Sequence, residues 1–350
     1  MSYFEQIQKL PIKENPIIMG IETSCDETAV AIIKNGREIL ADEIISSATE
    51  HARFGGVVPE IASRMHTTAI LTATENALKN ANLTLEDIDA FAVTEGSGLL
   101  GALLVGVSFA KSLAFSTGKP LVPVSHIRGH IAASYLADKE LKPPFVTILA
   151  SGGHTAVIAV KDYHDFEVFG STIDDAVGEA FDKVARVLEL NYPGGPHLEK
   201  LAREGQNIIT LPKMLKNYQG SEFDFSYSGL KTAVINYVHN ETAKGNSVNK
   251  ADVACSFQCA AVDVLVQKAL KVIDITGYKT LTISGGVAAN GYLRQTLQNA
   301  VLGKNIKLVL PEKRYCTDNA AMIGAEGYLQ YKKGNFADLS LNAKAVIPLR

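Results

Sequence analysis

The sequence predicts an α/β protein built from two related lobes, and three observations carry that prediction. From Pro16 onward, apolar strands alternate with glycine-rich turns and amphipathic helical stretches, the order that marks strands and helices sharing one chain. Two segments echo one another. Ile21 to Ile32 (IETSCDETAVAI) and Ile148 to Ala159 (ILASGGHTAVIA), 127 residues apart, each run from an apolar strand through a polar tight turn into Thr-Ala-Val and a second strand. Finally, 350 residues exceed the size at which one hydrophobic core keeps growing. Duplicated lobes of this kind close over a ligand, and the gap between the halves is the expected site.

Taken in order, Met1 to Asn15 mixes acidic and basic residues and lacks the apolar stretch of a secretory leader, so a cytoplasmic protein is expected. Residues 21–32 read as a hairpin whose tip carries Cys25, Asp26 and Glu27. The longest apolar runs, such as Ala102 to Val107 and Phe145 to Ala150, are soon broken by Gly, Ser, Lys or Pro, so no membrane segment is expected. SHIRGHIAAS (125–134) reads as the head of a helix, and 148–159 as the second hairpin. Asp174 to Ala185 reads as a capped helix followed by the glycine turn 191–196, and 251–261 as a packed helix carrying Cys255 and Cys259. The strand Thr280 to Ile283 feeds the turn Ser284 to Gly291 and a helix over Tyr292 to Val301. Backbone N–H groups of such a turn can hold phosphate or ribose oxygens; the plain alternative is a left-handed glycine turn. A last helix covers Ala320 to Tyr328, with Thr317 or Asp318 suited to cap it.

Composition narrows the function. Apolar residues at 47% and charged residues at 20% describe an ordinary globular chain. Cys25, Cys255, Cys259 and Cys316 show no disulfide framework, which fits a reducing compartment. With 34 basic against 37 acidic residues the net charge is -3, which argues against unaided binding of a long phosphate backbone. The short basic clusters Lys213/Lys216 and Lys313/Arg314 read as solvated faces.

The chemistry-bearing residues are few. His126 and His130, four apart on a helix, share one face, as in zinc peptidases. The intervening Ile127, Arg128 and Gly129 supply no carboxylate base, so that hydrolytic mechanism is excluded while metal ligation stays open beside a hydrogen-bonded structural role. A third ligand is needed, and two histidines with one carboxylate suit iron or another first-row transition metal. Asp318 is the candidate, with helix capping as its competing role. Asp26 and Glu27 are general bases or metal-phosphate contacts if their turn faces a ligand, and turn formers otherwise. Their charges would raise the Cys25 thiol, which disfavours it as a nucleophile.

Nine ordered motifs then appear between Ile18 and Tyr331. They are GIETSCDETAVAI (20–32), GGVVPEIASRMH (55–66), HIRGH (126–130), SGGHT (151–155), DDAVGEAFDKVAR (174–186), YPGGP (192–196), DFSYSGLKTAV (224–234), SGGVAANGYLR (284–294) and CTDNAAMIG (316–324). Together they resemble the bacterial tRNA threonylcarbamoyladenosine transferases, a family once labelled O-sialoglycoprotein endopeptidase. The resemblance implies an α/β, two-lobed actin-like or sugar-kinase-like (ASKHA) fold with duplicated ribonuclease-H-like lobes and a central nucleotide cleft. The corresponding division is an extension over 1–15, one lobe over 16–133 plus 320–350, and another over 134–319. The activity implied is transfer of a threonylcarbamoyl group from threonylcarbamoyl-adenylate to N6 of adenosine 37 in tRNAs reading ANN codons. The resemblance further implies one Fe2+ on His126, His130 and Asp318, with zinc or another divalent ion able to replace it. Substrate contacts are implied at Leu149, Ala150, Ser151, Gly152, Gly153, Asp182, Gly195, Glu199 and Asn290, where ATP, ADP or AMP would also fit, and a catalytic role at Asp26 and Glu27.

Implied partners are tRNA, a smaller inactive paralogue, a P-loop ATPase and an upstream threonylcarbamoyl-AMP synthase. The chain departs from the family pattern at Arg128, at Ala150 where Val is usual, and at Leu149 where archaeal and eukaryotic relatives offer a tyrosine ligand. Two alternatives on the same fold are a small-molecule kinase and a nucleotide-sensing scaffold subunit.

Overall fold

The computed structural model describes residues 2–215 and 218–349; Lys216 of the basic cluster, Met1 and Arg350 lie outside the described residues. The chain divides into two compact units, Met1–Leu141 with Asp318–Leu349, and Lys142–Thr317.

In the first unit the chain runs α1 (Tyr3–Ile7), β1 (Ile17–Glu22), β2 (Glu27–Lys34), β3 (Glu38–Ser46), α2 (Ala48–Ala52) and α3 (Pro59–Ala81). It continues through β4 (Ala90–Gly96), α4 (Leu100–Thr117), β5 (Leu121–Ser125) and α5 (His126–Ala137). The second unit contains β6 (Phe145–Ala150), β7 (Thr155–Val160), β8 (Phe166–Ser171), α6 (Val177–Val187), α7 (Gly194–Ala202), α8 (Ser228–Ala243) and α9 (Lys250–Thr276). It ends with β9 (Thr280–Ser284), α10 (Gly291–Val301) and β10 (Lys307–Val309), after which α11 (Ala320–Lys332) belongs to the first unit again. Helix α5 continues to Ala137, and the chain passes from the first unit to the second between Leu141 and Lys142 and returns at Asp318.

The internal echo is a topological one. The sheet orders are β3-β2-β1-β4-β5 and β8-β7-β6-β9-β10. In each sheet the first two strands form an antiparallel hairpin, with Ile21 opposite Val30 in one and Leu149 opposite Ala156 in the other. In each, the opening strand then pairs in parallel with the fourth, and the fourth with the fifth. This duplicated ribonuclease-H-like unit is the actin-like α/β fold the sequence predicted.

Side-chain alternation explains why each sheet is covered on both faces. In β1, Met19 and Ile21 pack with Val30, Ile32, Phe91 and Val93 against Ala73 of α3 and Val107 of α4. On the other face, Ile18 joins Ala92, Val122 and Val124 against Met322 and Ile323 of α11. Strands buried on both faces need continuous apolar runs, and β6 and β7 are buried at every residue. Each large side chain so buried contributes roughly 1.5–3 kcal/mol. Gly20 lets β1 lie against α11: a Cβ there would stand 2.3 Å from the Ala320 carbonyl oxygen and 2.6 Å from the Gly324 nitrogen.

Two local expectations are corrected. The helix expected from Asp174 starts at Val177, because Asp174 Oδ1 instead accepts hydrogen bonds from the Tyr227 and Ser228 amides, and Asp175 pairs with Lys183 and Lys231. The N-cap of α11 is neither Thr317 nor Asp318 but Asn319, whose Oδ1 accepts from the Met322 amide at 2.9 Å. Two helices, α4 and α9, are long and apolar enough to cross a bilayer by length and composition. Core helices of globular proteins pass the same test, and α9 is mostly buried within its unit, so neither overturns the expectation that no segment spans a membrane. The segment before Pro16 is docked on the first unit: Ile7 is fully buried, the Tyr3 hydroxyl donates to the Lys119 carbonyl, and the Lys13 amide donates to the Tyr331 hydroxyl.

Candidate functional site

In the first unit, β5 delivers the chain directly into α5, so His126 and His130 occupy its first two turns at the carboxyl end of the sheet, where open α/β sheets bind ligands. Helix α11 packs along α5, and the residue just before its cap is Asp318. With Asn319 filling the cap, the Asp318 carboxylate is released for other work.

Among the described residues, His126, His130 and Asp318 form a group whose ligand atoms all lie within 4.8 Å of one another. Asp318 Oδ1 is 3.5 Å from His126 Nε2 and 3.2 Å from His130 Nε2. The two rings meet edge to face with centroids 4.6 Å apart. His130 Nε2 is buried and, beyond its 3.2 Å approach to Asp318, has no hydrogen-bond partner. Ligand atoms within 4.8 Å of one another, one of them (His130 Nε2) without a hydrogen-bond partner, fit a transition metal with ligand distances of about 2.1 Å. In the metal-free group the same contacts set the proton affinities. Burial pushes His126 down, but Asp318 and Glu22 outweigh it and hold the imidazole well above its usual range. Asp318 is held well below the carboxylate range by His126 and His130 despite its burial, whereas burial wins at His130 and lowers it.

The acidic turn lies in the same unit. Glu27 opens β2; its Oε1 accepts from the Ser46 hydroxyl at 2.9 Å, and its Oε2 is buried with no partner. Burial, reinforced by Asp26, pushes Glu27 up to about 7. The Asp26 carbonyl is fixed by the Ser47 amide and hydroxyl. Cys25 is pushed up by burial and by Asp26, which fits the expectation against thiolate chemistry.

In the second unit, Gly152, Asp182, Gly195, Glu199 and Asn290 line one cavity of about 270 Å³. Asp182 Oδ1 accepts from the Gly194 and Gly195 amides at 2.8 and 3.2 Å, and thereby shapes the YPGGP turn. Glu199 Oε1 accepts from the Gly291 amide, and Asn290 caps α10 by accepting from the Leu293 amide. Gly285, at φ +90°, brings the SGG turn so close to the end of β6 that a Cβ would stand 2.4 Å from the Ala150 carbonyl oxygen. The other four expected contacts do not line the cavity: Leu149 and Ala150 are fully buried in β6, Ser151 is buried, and Gly153 is exposed on the turn. Cys255 and Cys259 are packed on α9 as free thiols.

Sequence reasoning overlooked several residues. Glu22 is fully buried with Oε2 3.2 Å from His126 Nδ1; its signal was a single carboxylate inside an apolar strand. His66, in the PEIASRMH stretch, contacts the Thr28 hydroxyl at 2.7 Å and the Cys25 carbonyl at 3.0 Å, and so braces the acidic turn from both sides. Gln258, which carried no sequence signal, accepts from the Asn290 amide group at 2.8 Å, and Thr317, expected only as a cap, also lines the cavity.

The family profile described as tRNA N6-adenosine threonylcarbamoyltransferase matches residues 38–325. The chain belongs to that family. Among curated relatives bearing the same name, one from Clostridium botulinum (strain Kyoto / Type A2) is 50% identical over 333 residues, covering 95% of this chain and 97% of its own length. One from Clostridium perfringens (strain 13 / Type A) is 51% identical over 332 residues, with the same coverage. One from Clostridium beijerinckii is 49% identical over 337 residues, covering 96% and 99%. Solved structures similar in fold are more distant. Full-length HypF in its phosphate- and nucleotide-bound form gives a TM-score of 0.61 at 16% identity, covering 94% of this chain and 57% of its own. Component A of the Acidaminococcus fermentans (R)-2-hydroxyglutaryl-CoA dehydratase gives 0.53 at 17% identity, covering 91% and 99%. Membership of the transferase family leaves the kinase and scaffold alternatives without support of their own.

Proposed function

We propose that this chain transfers the threonylcarbamoyl group of threonylcarbamoyl-adenylate to N6 of adenosine 37 in tRNAs reading ANN codons. The observation that carries the reading is the convergence of His126, His130 and Asp318, with His130 Nε2 buried and unpartnered, in a chain of this family. These three side chains would hold one Fe2+, for which two imidazoles and a carboxylate are a suitable set. A divalent ion bound there supplies Lewis-acid polarisation or charge compensation for carbonyl and phosphate oxygens.

The protein's own residues then have defined tasks. Gly152 and Gly195 leave room for the adenylate in the cavity, Asp182 and Glu199 shape its walls, and the SGG turn, which leads into the short helical turn Gly286–Ala289 ahead of α10, presents backbone N–H groups. In the reaction the N6 lone pair of adenosine attacks the carbamoyl carbonyl carbon and a C–N bond forms. The C–O bond to the adenylate phosphate breaks, AMP leaves with the electron pair, and N6 gives up a proton. Glu27, with a buried free oxygen and an affinity for protons raised to about pH 7, is suited to take that proton, and Asp26 beside it helps to raise it. Leu149 to Ser151 and Gly153 act through the backbone of the turn that carries Gly152.

At net charge -3 the chain needs help to hold tRNA. The smaller paralogue and the P-loop ATPase fill that role in the cytoplasm, and the synthase supplies the adenylate. The test is nucleoside mass spectrometry of tRNA incubated with the chain, these partners and preformed adenylate. Wild type is expected to give the modified adenosine, and Glu27→Gln to give it roughly 10²- to 10⁴-fold more slowly. A Glu27→Gln rate equal to wild type would remove Glu27 from the scheme, and no product with wild type would overturn the function.

A further inference from the structure

The buried carboxylate of Glu22 has no role in the scheme above, yet it is one of few charged groups in the apolar interior of the first unit. It closes β1, and its Oε2 lies 3.2 Å from His126 Nδ1, on the side of the ring away from Asp318. It is itself held. The Thr94 hydroxyl of β4 donates to Oε2 at 2.6 Å, and the Ser24 amide donates to Oε1. The Ser24 hydroxyl also approaches His126 Nδ1, at 3.2 Å.

These contacts differ in what they demand of the imidazole. A hydroxyl can donate or accept and so tolerates either ring tautomer, whereas an ionised carboxylate only accepts. A hydrogen bond from His126 to Glu22 therefore requires the proton on Nδ1, which leaves the Nε2 lone pair directed to the point shared with Asp318 and His130. A buried carboxylate also needs a compensating positive charge, and the described structure places only His126 beside it as a cationic partner.

Resting on the metal reading of His126, His130 and Asp318, we propose that Glu22 is a positioning residue for the metal: it fixes the ring and tautomer of His126 and adds negative charge behind that ligand. Ligating histidines are commonly oriented by a carboxylate on the other ring nitrogen, and loss of that partner costs about 10- to 100-fold in metal affinity. Thr94 acts one step further back by holding Glu22 in place.

The test is Co2+ binding to the metal-stripped full-length protein, measured by competition with a chromophoric chelator and by the Co2+ absorption spectrum. Wild type is expected to bind one Co2+, and Glu22→Gln, similar in shape, to bind it about 10- to 100-fold more weakly, with the same ligands and so a similar spectrum. Ser24→Ala is expected to change the affinity far less. If Glu22→Gln does not fold cooperatively, Thr94→Val, which removes only the support of Glu22, is expected to weaken binding up to about tenfold. Folded Glu22→Gln or Thr94→Val with wild-type affinity would overturn the proposal, as would an equal loss in Ser24→Ala. A wild type that binds no Co2+ would overturn the metal reading first, and this inference with it.

Discussion

Glu326 offers a quantitative test of the first unit's packing. It sits on the face of α11 buried within that unit, 3% exposed, with Oε1 accepting from the Gln330 amide group at 2.6 Å. Burial dominates over that hydrogen bond and over the charge of Arg128, and pushes the carboxyl from 4.5 up to about 7. Because the folded state binds this proton more tightly than the unfolded chain, the contribution to stability is present in full below about pH 4.5 and is lost as pH rises through about 7. At about 1.4 kcal/mol per pH unit, the loss between pH 4.5 and pH 8 is about 3 kcal/mol. Glu326→Gln keeps the shape and removes the titration. Urea unfolding of metal-stripped protein from pH 5 to pH 8 should show the wild-type midpoint falling by roughly 1 M, given m-values of about 2–3 kcal/mol/M, with a clearly smaller fall in Glu326→Gln. Glu27, also raised to about 7, keeps part of the slope in both proteins. Parallel pH slopes in the two proteins would refute the assignment of a neutral, buried Glu326.

Three further outcomes follow from particular contacts. Gly20→Ala drives a Cβ into the backbone of α11 at Ala320 and Gly324, costing about 1–3 kcal/mol, so Tm should fall by several degrees; an unchanged Tm would mean that β1 and α11 are not so close. Asp182→Ala removes an acceptor for the Gly194 and Gly195 amides, a loss of about 1.5–3 kcal/mol. Steady-state kinetics should then show KM for the adenylate rising by about tenfold or more with kcat less affected, and an unchanged KM would disconnect the cavity from the donor. Cys25→Ser should retain the transfer rate, because burial and Asp26 keep that thiol protonated; loss of activity would point to thiolate chemistry instead.

Much of this architecture was legible because it rests on local pattern. The two hairpins announced themselves by Thr-Ala-Val after a polar tip, and they became equivalent strands in two sheets of the same order. The histidine pair was legible from its spacing on one helix. Asp318 was not, since Thr317, Asp318 and Asn319 all suit a cap, and only the fold shows that Asn319 takes it. Glu22 and His66 were hidden for a related reason. Their partners His126 and Cys25 are distant in sequence, 104 and 41 residues away, so the contacts arise from strand order and not from any local signal. The helix expected from Asp174 failed because long-range bonds to residues 226–228 outcompeted local capping.

The most direct test of the metal-centred account is the transfer rate of metal-stripped protein, with its partners, as Fe2+ is added back. The account predicts little modified adenosine without the ion, recovery that saturates at one Fe2+ per chain, and no recovery in Asp318→Ala. Full activity in the stripped wild type, or in Asp318→Ala, would contradict it.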